Sequence, residues 1–169
     1  MSELHGNVDF DAFVLPLIGL PVSFIWRGYG SAIFLEIGAL REGRTRRDGS
    51  AGNPYGEWTL MIEWSWRVEN STSILCGSWS QERLWEPTFD LLRSRLVVEL
   101  SVVGRLPEIV VALTESLHVS SSMKADPQSL YVSSFMTADG DPSWALFDRR
   151  GDTWRTLSVR EGSLKLHTE

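Results

Sequence analysis

The stretch Gly56-Glu57-Trp58-Thr59-Leu60-Met61-Ile62-Glu63-Trp64-Ser65-Trp66-Arg67-Val68-Glu69 decides how this chain folds. Trp58, Leu60, Ile62, Trp64, Trp66 and Val68 fall on one side of it. Glu57, Thr59, Met61, Glu63, Ser65, Arg67 and Glu69 fall on the other. Side chains in a strand change face at every residue, whereas helical spacing would scatter these apolar residues around a cylinder. The alternation predicts one long strand with a buried face and a wetter one.

Downstream, Asn70-Ser71-Thr72 reads as a turn and Ser73 to Trp79 as the partner strand. In the matching register Val68 faces Ser73, Trp66 faces Leu75, Trp64 faces Gly77 and Ile62 faces Trp79, with the glycine leaving room for the Trp64 indole. Upstream, Val22 to Arg27 and Ser31 to Ile37 form a hairpin around Tyr29-Gly30. There Trp26 faces Ile33, Phe24 faces Leu35 and Val22 faces Ile37, giving one apolar face. Leu96 to Val103 and Glu108 to Glu115 read as two more strands, and Ser129 to Met136 as another. Ser116 to Ser122 continues or flanks a strand, and Asp126-Pro127 marks a turn. Trp144 to Arg149 and Thr153 to Arg160 form a last hairpin, with Leu146 facing Leu157, Trp144 facing Val159 and Asp148 facing Arg155. Residues 163–169 add an edge strand.

Two short helices complete the pattern. Asp9 or Asp11 caps the first, which carries Phe10, Phe13, Val14 and Leu17. The second lies between Ser80 and Ser94, with Pro87 near its start and Phe89 and Leu92 facing inward. About ten strands joined by short connections pair antiparallel. The expected fold is mainly β with α+β character: one domain over 1–169, built as a strongly bent antiparallel sheet, roll or barrel. A faint repeat relates 1–80 to 81–169. Val22, Phe24, Trp26, Gly28, Ile33, Leu35 and Ile37 match Val98, Leu100, Val102, Gly104, Ile109, Val111 and Leu113 in pattern.

The 169 residues hold 22 acidic and 16 basic side chains, a net charge of −6 that disfavours general nucleic-acid binding. Cys76 is the single cysteine, which excludes an intramolecular disulfide and suits a reducing compartment. Ala12 to Trp26 is too short to span a bilayer, and Glu3, Asp9 and Asp11 stand where a signal peptide carries Lys or Arg. The expectation is a soluble, cytoplasmic bacterial protein without membrane or nucleic-acid partners.

No catalytic motif stands out. Gly28-Tyr29-Gly30-Ser31 starts like a dinucleotide fingerprint, but Ile33 replaces the third glycine and no helix follows, so a hairpin turn is the reading. His5, His118 and His167 are far apart and no C-x-x-C occurs, so no metal or cofactor is expected. Cys76 lies within a strand, where a buried inert thiol is expected. Arg150-Gly151-Asp152 is a turn. Arg27, Glu36, Glu63 and Arg67 stand on wetter strand faces, either around a polar cavity or as cross-strand ion pairs. Gly38 to Tyr55 is a long polar connection, expected to be mobile, that carries Arg41, Arg44, Arg46 and Arg47. Eight tryptophans are many for this length; Trp79, Trp85 and Trp154 are those whose place in the core the pattern supports least, read first as packing residues and second as interface anchors.

The run WRGYGSAIFLEIG at 26–38, with GEWTLMIEWSWRVE and CGSWS at 76–80, resembles small bacterial proteins classed as domains of unknown function. It brings no functional residue with it. In size and acidity the chain also resembles immunity proteins of bacterial toxin systems. The leading functional expectation is a non-enzymatic protein-interaction module, monomeric or homodimeric. Its contact surface comprises Tyr29, Arg41, Arg44, Arg46, Arg47 and Trp85. One alternative is a small apolar ligand held between Trp64, Trp66 and Trp79. Another is an enzyme using Glu36, Glu63 or His118 as acid or base.

Overall fold

The alternating runs become eleven strands in the computed structural model, which describes residues 8–114, 129–135 and 139–169. In chain order they are β1 (Val22–Arg27), β2 (Ile33–Ile37), β3 (Trp58–Ile62), β4 (Trp66–Glu69), β5 (Ile74–Gly77), β6 (Val97–Val103), β7 (Glu108–Leu113), β8 (Leu130–Ser134), β9 (Trp144–Asp148), β10 (Arg155–Arg160) and β11 (Ser163–Thr168). They form two antiparallel sheets. One has the order β1-β2-β3-β9-β10-β11 and the other β5-β4-β8-β7-β6. Neither closes into a barrel. The readings at Ser116 to Ser122 and Asp126-Pro127 lie outside the described residues.

The stretch that opened the sequence reading is two strands, not one. The chain leaves the first sheet after Ile62 and enters the second at Trp66. Trp58, Leu60, Ile62, Trp66 and Val68 keep the predicted buried face, while Trp64, at the corner, is 61% exposed. A strand passing between sheets must turn, and the corner residue loses its cover. The Ser31 hydroxyl fixes the corner by donating to the carbonyls of Trp64 (2.7 Å) and Glu63 (3.3 Å).

Two hairpin registers differ from the expected ones. In β4–β5, Asn70 Oδ1 accepts the Thr72 and Ser73 amides and Glu69 faces Ile74; a bulge between Val68 and Glu69 then sets Val68 against Cys76 and Arg67 against Gly77. Gly77 therefore lies against the Trp66 backbone, where a Cβ would meet the carbonyl oxygen at 2.8 Å. In β1–β2, Val22 faces Ile37 as expected, but a bulge follows and Ile25, not Phe24, faces Leu35. That slip turns Ile25 to the core and Trp26 away from it, where it stacks on Phe34 at 3.9 Å. In β9–β10, Leu146 faces Leu157 and Asp148 faces Arg155, as their spacing predicts.

The buried side chains of both sheets and both helices form one core. Asp9 caps α1 (Phe10–Val14) by accepting the Ala12 amide. Phe13 of α1 meets Trp58 edge-on at 5.4 Å. Trp85 and Phe89 of α2 (Trp85–Leu92) pack on Trp66 at 5.0 and 5.9 Å. Trp85 is 3% exposed, which corrects its assignment to a contact surface: α2 turns its Trp85, Phe89 and Leu92 stripe inward.

Corresponding hydrogen bonds recur along the two halves. Trp66 Nε1 donates to Ser31 O (2.7 Å) and Trp144 Nε1 to Pro107 O (2.8 Å). Gly38 N donates to Pro21 O and Thr114 N to Leu96 O, each at 2.9 Å. Bulges fall between Val22 and Phe24 and between Val97 and Glu99. Glu63 N donates to Ser143 O and Phe135 N to Ser65 O, joining the two inter-sheet corners. Pro21 and Leu96 form an antiparallel bridge with each other. Each sheet combines three strands of one half with the closing strands of the other.

Candidate functional site

The connection from β2 to β3 leaves the sheet as a narrow two-legged arm. Arg41 and Tyr55 exchange both backbone hydrogen bonds at its foot (2.8 and 3.0 Å). Gly52 N donates to Arg44 O farther out, and Arg46 N to Ser50 O near the tip. Gly43 and Gly52 let the legs approach: a Cβ on Gly43 would lie 2.1 Å from Asn53 O, and one on Gly52 2.4 Å from Arg44 O. At the tip Asp48 accepts the Ser50 hydroxyl and amide (2.6 and 2.9 Å), which holds its carboxyl below the usual range. The connection expected to be mobile thus carries backbone pairing along its length.

Arg41, Arg44, Arg46 and Arg47 are all exposed on this arm. None makes an ion pair among the described residues. Glu42 and Asp48 are the arm's acidic residues, so it is locally basic on an acidic protein.

At the foot, on the sheet face turned from the core, stands Arg149. Its guanidinium carbon lies over the rings of Trp154 (4.8 Å), Tyr55 (5.3 Å) and Phe147 (5.5 Å). Three separate elements supply these rings: the arm's return leg, β9, and the residue before β10. Burial pulls the Arg149 pKa below its ordinary value, and the negative charge of Glu36 only partly offsets this. Glu36 is 2% exposed. Its carboxylate accepts Trp26 Nε1 (2.9 Å), Gly56 N (2.9 Å) and the Thr59 hydroxyl (2.6 Å). Those donors satisfy both oxygens, so Glu36 acts as a buried structural carboxylate.

Asp148 is the neighbouring charge centre, on the core side of β9. Burial pushes its carboxyl up, but hydrogen bonds from Arg150 and Arg155 prevail and hold its pKa at about 2. Arg150 lies over Trp58 and Arg155 over Phe13, so the three close one end of the core.

The other candidates are dispersed. Tyr29 is fully exposed at the β1–β2 turn, at the opposite end of β2 from the arm, because successive hairpin turns lie at opposite sheet ends. Arg27 pairs with Glu82 at 3.1 Å and lies over Trp85. Arg67 pairs with Glu69 at 3.0 Å on the second sheet. Glu63 sits exposed at the corner. Arg27, Glu36, Glu63 and Arg67 therefore form no common cluster. Trp66 is fully buried while Trp64 and Trp79 are 61% and 77% exposed, so these three do not wall one cavity. A cleft of about 170 Å³ beside Trp64 is lined also by Glu108, Phe135 and Asp141. Asp141 is engaged by the Glu161 and Gly162 amides at 2.8 Å each. Cys76 is buried. His5 and His118 lie outside the described residues.

The sequence reading missed Arg149 and its rings. Arg149 closed a predicted strand, but nothing in the spacing of Tyr55, Phe147 and Trp154 announces that they converge. Among the described residues no helix is long and apolar enough to cross a membrane. No family model, curated protein or solved structure matches the chain.

Proposed function

We propose that this protein is a non-enzymatic interaction module that docks an acidic partner protein on its basic arm. The observation that carries the reading is four exposed arginines without ion pairs among the described residues, borne on a hydrogen-bonded arm. On a chain with an acidic excess such a local basic region steers an acidic partner and fixes where it lands. Arginine suits this role because its fork donates to carboxylates in two parallel bonds. Backbone pairing lowers the entropy lost on docking. Capture from native lysate tests the reading, comparing wild type with a variant carrying serine at 41, 44, 46 and 47. A stoichiometric acidic protein held by wild type and lost with the variant is expected. The same protein held equally by both contradicts it.

We also infer that the chain is a fused pair of one α–β unit whose closing strands have been exchanged between the halves. The recurring Trp indole bonds, paired corners and matching bulges support that reading.

A further inference from the structure

We propose that the Arg149 guanidinium, seated among Tyr55, Phe147 and Trp154 at the foot of the arm, is the anchor that receives a side-chain carboxylate of the partner. This rests on the docking role of the arm and assigns it a specific receptor group.

Arg149 differs from the arginines beside it at this end of the sheet. Arg150 and Arg155 are both committed to Asp148, whereas Arg149 makes no side-chain hydrogen bond or ion pair among the described residues. Its Nε is buried without a hydrogen-bond partner; neither Nη shares that state, so both remain open to solvent. Ring faces stabilise the flat side of a guanidinium but leave its in-plane N–H groups unused. A partly desolvated cation with free donors gains from an incoming anion that fits their plane.

Position ties the anchor to the arm. The Tyr55 backbone pairs with Arg41, and its ring takes Arg149. A partner lying along the arm toward the sheet therefore meets Arg149 at its foot.

The charge balance favours a protein carboxylate over a nucleic-acid phosphate chain. Glu36 stands close enough to offset part of the Arg149 charge, and the whole chain carries −6. One partly offset guanidinium matches a single monoanion, whereas duplex DNA brings one charge per about 1.7 Å against a negative protein. Lysine would keep the charge but lose the planar fork, so Arg149→Lys separates geometry from charge.

The test is an NMR titration of nitrogen-15-labelled full chain with acetylated hexaglutamate, following the Arg149 Nε–H signal and the backbone amides of 41–55. The Arg149 signal is assigned through bonds from its own backbone amide in a wild-type sample labelled also with carbon-13, independently of R149K. The Arg149 signal and the arm amides are expected to move together, and R149K to bind roughly tenfold or more weakly with unchanged arm backbone shifts in the free state. Arm amides that move while Arg149 Nε–H stays still overturn the anchor and leave the docking arm standing. No movement at either place overturns both. Displacement of the peptide by an equimolar short DNA duplex overturns the carboxylate assignment. The wild-type titration decides the matter even if R149K fails to fold.

Discussion

Trp64 and Trp66 stand two positions apart in one alternating run, yet their environments are opposite. Trp66 is fully buried against Trp85 and Phe89 with its indole N–H on Ser31 O, while Trp64 faces solvent at a corner. Trp66→Ala is expected to cost about 3–5 kcal/mol in urea denaturation, from lost burial and a residual cavity. Trp64→Ala is expected to stay within about 0.5 kcal/mol. Asp148 yields a pH prediction. Its pKa, about 2, is depressed by Arg150 and Arg155, so its contribution is complete above the unfolded carboxyl value of about 4 and fades as pH falls toward that of the folded state. Asp148→Asn should therefore lower stability at neutral pH and flatten the loss of stability in acid. An equally steep acid loss in both proteins counts against the assignment. At this scale alternation identified most of the core, because inward phase is a local property of a strand. Trp64 escaped it because a corner is set by which sheet the next strand joins. Arg149 escaped it because its rings come from three elements.

For the elements, existence was more legible than register. The strands flanking each hairpin are marked by alternation and turn residues, but one extra turn residue or one bulge moves every pairing. In β4–β5 the turn closes on Glu69 and Ile74 and a bulge follows at Val68, and in β1–β2 an irregularity follows Val22. Neither leaves a distinct trace in apolar spacing. The arm is the element with most at stake. Its sequence reads as a long polar connection, but Gly43 and Gly52 stand where the two legs nearly touch. Gly43→Val should push the legs apart and raise hydrogen exchange at the Gly52 and Arg46 amides, leaving that of Leu60 in β3 unchanged. Exchange unaltered at Gly52 and Arg46 would show that the close approach does not hold the arm.

In the whole molecule, the two halves depend on each other through strands they contribute to one another's sheets. β4 and β5 lie in the sheet of β6–β8, and β9, β10 and β11 lie in the sheet of β1–β3. Fragments 1–80 and 81–169, prepared separately, are expected to lack cooperative unfolding and to regain it when mixed. A fragment that unfolds cooperatively alone contradicts the exchange. In sequence the proposed repeat shows only as similar patterning; the matching side-chain and backbone bonds needed the topology. The same topology puts the basic arm and the Arg149 foot at one end and Tyr29 at the other. The proposed docking therefore falls at a single end of the molecule. The most direct test measures the affinity of the captured acidic partner against ionic strength, for wild type and for the variant with serine at 41, 44, 46 and 47. Wild type is predicted to bind more tightly at low salt and to lose affinity steeply as salt rises, with the variant weak and nearly flat. Equal affinities with equal salt dependence would contradict a binding surface on the arm.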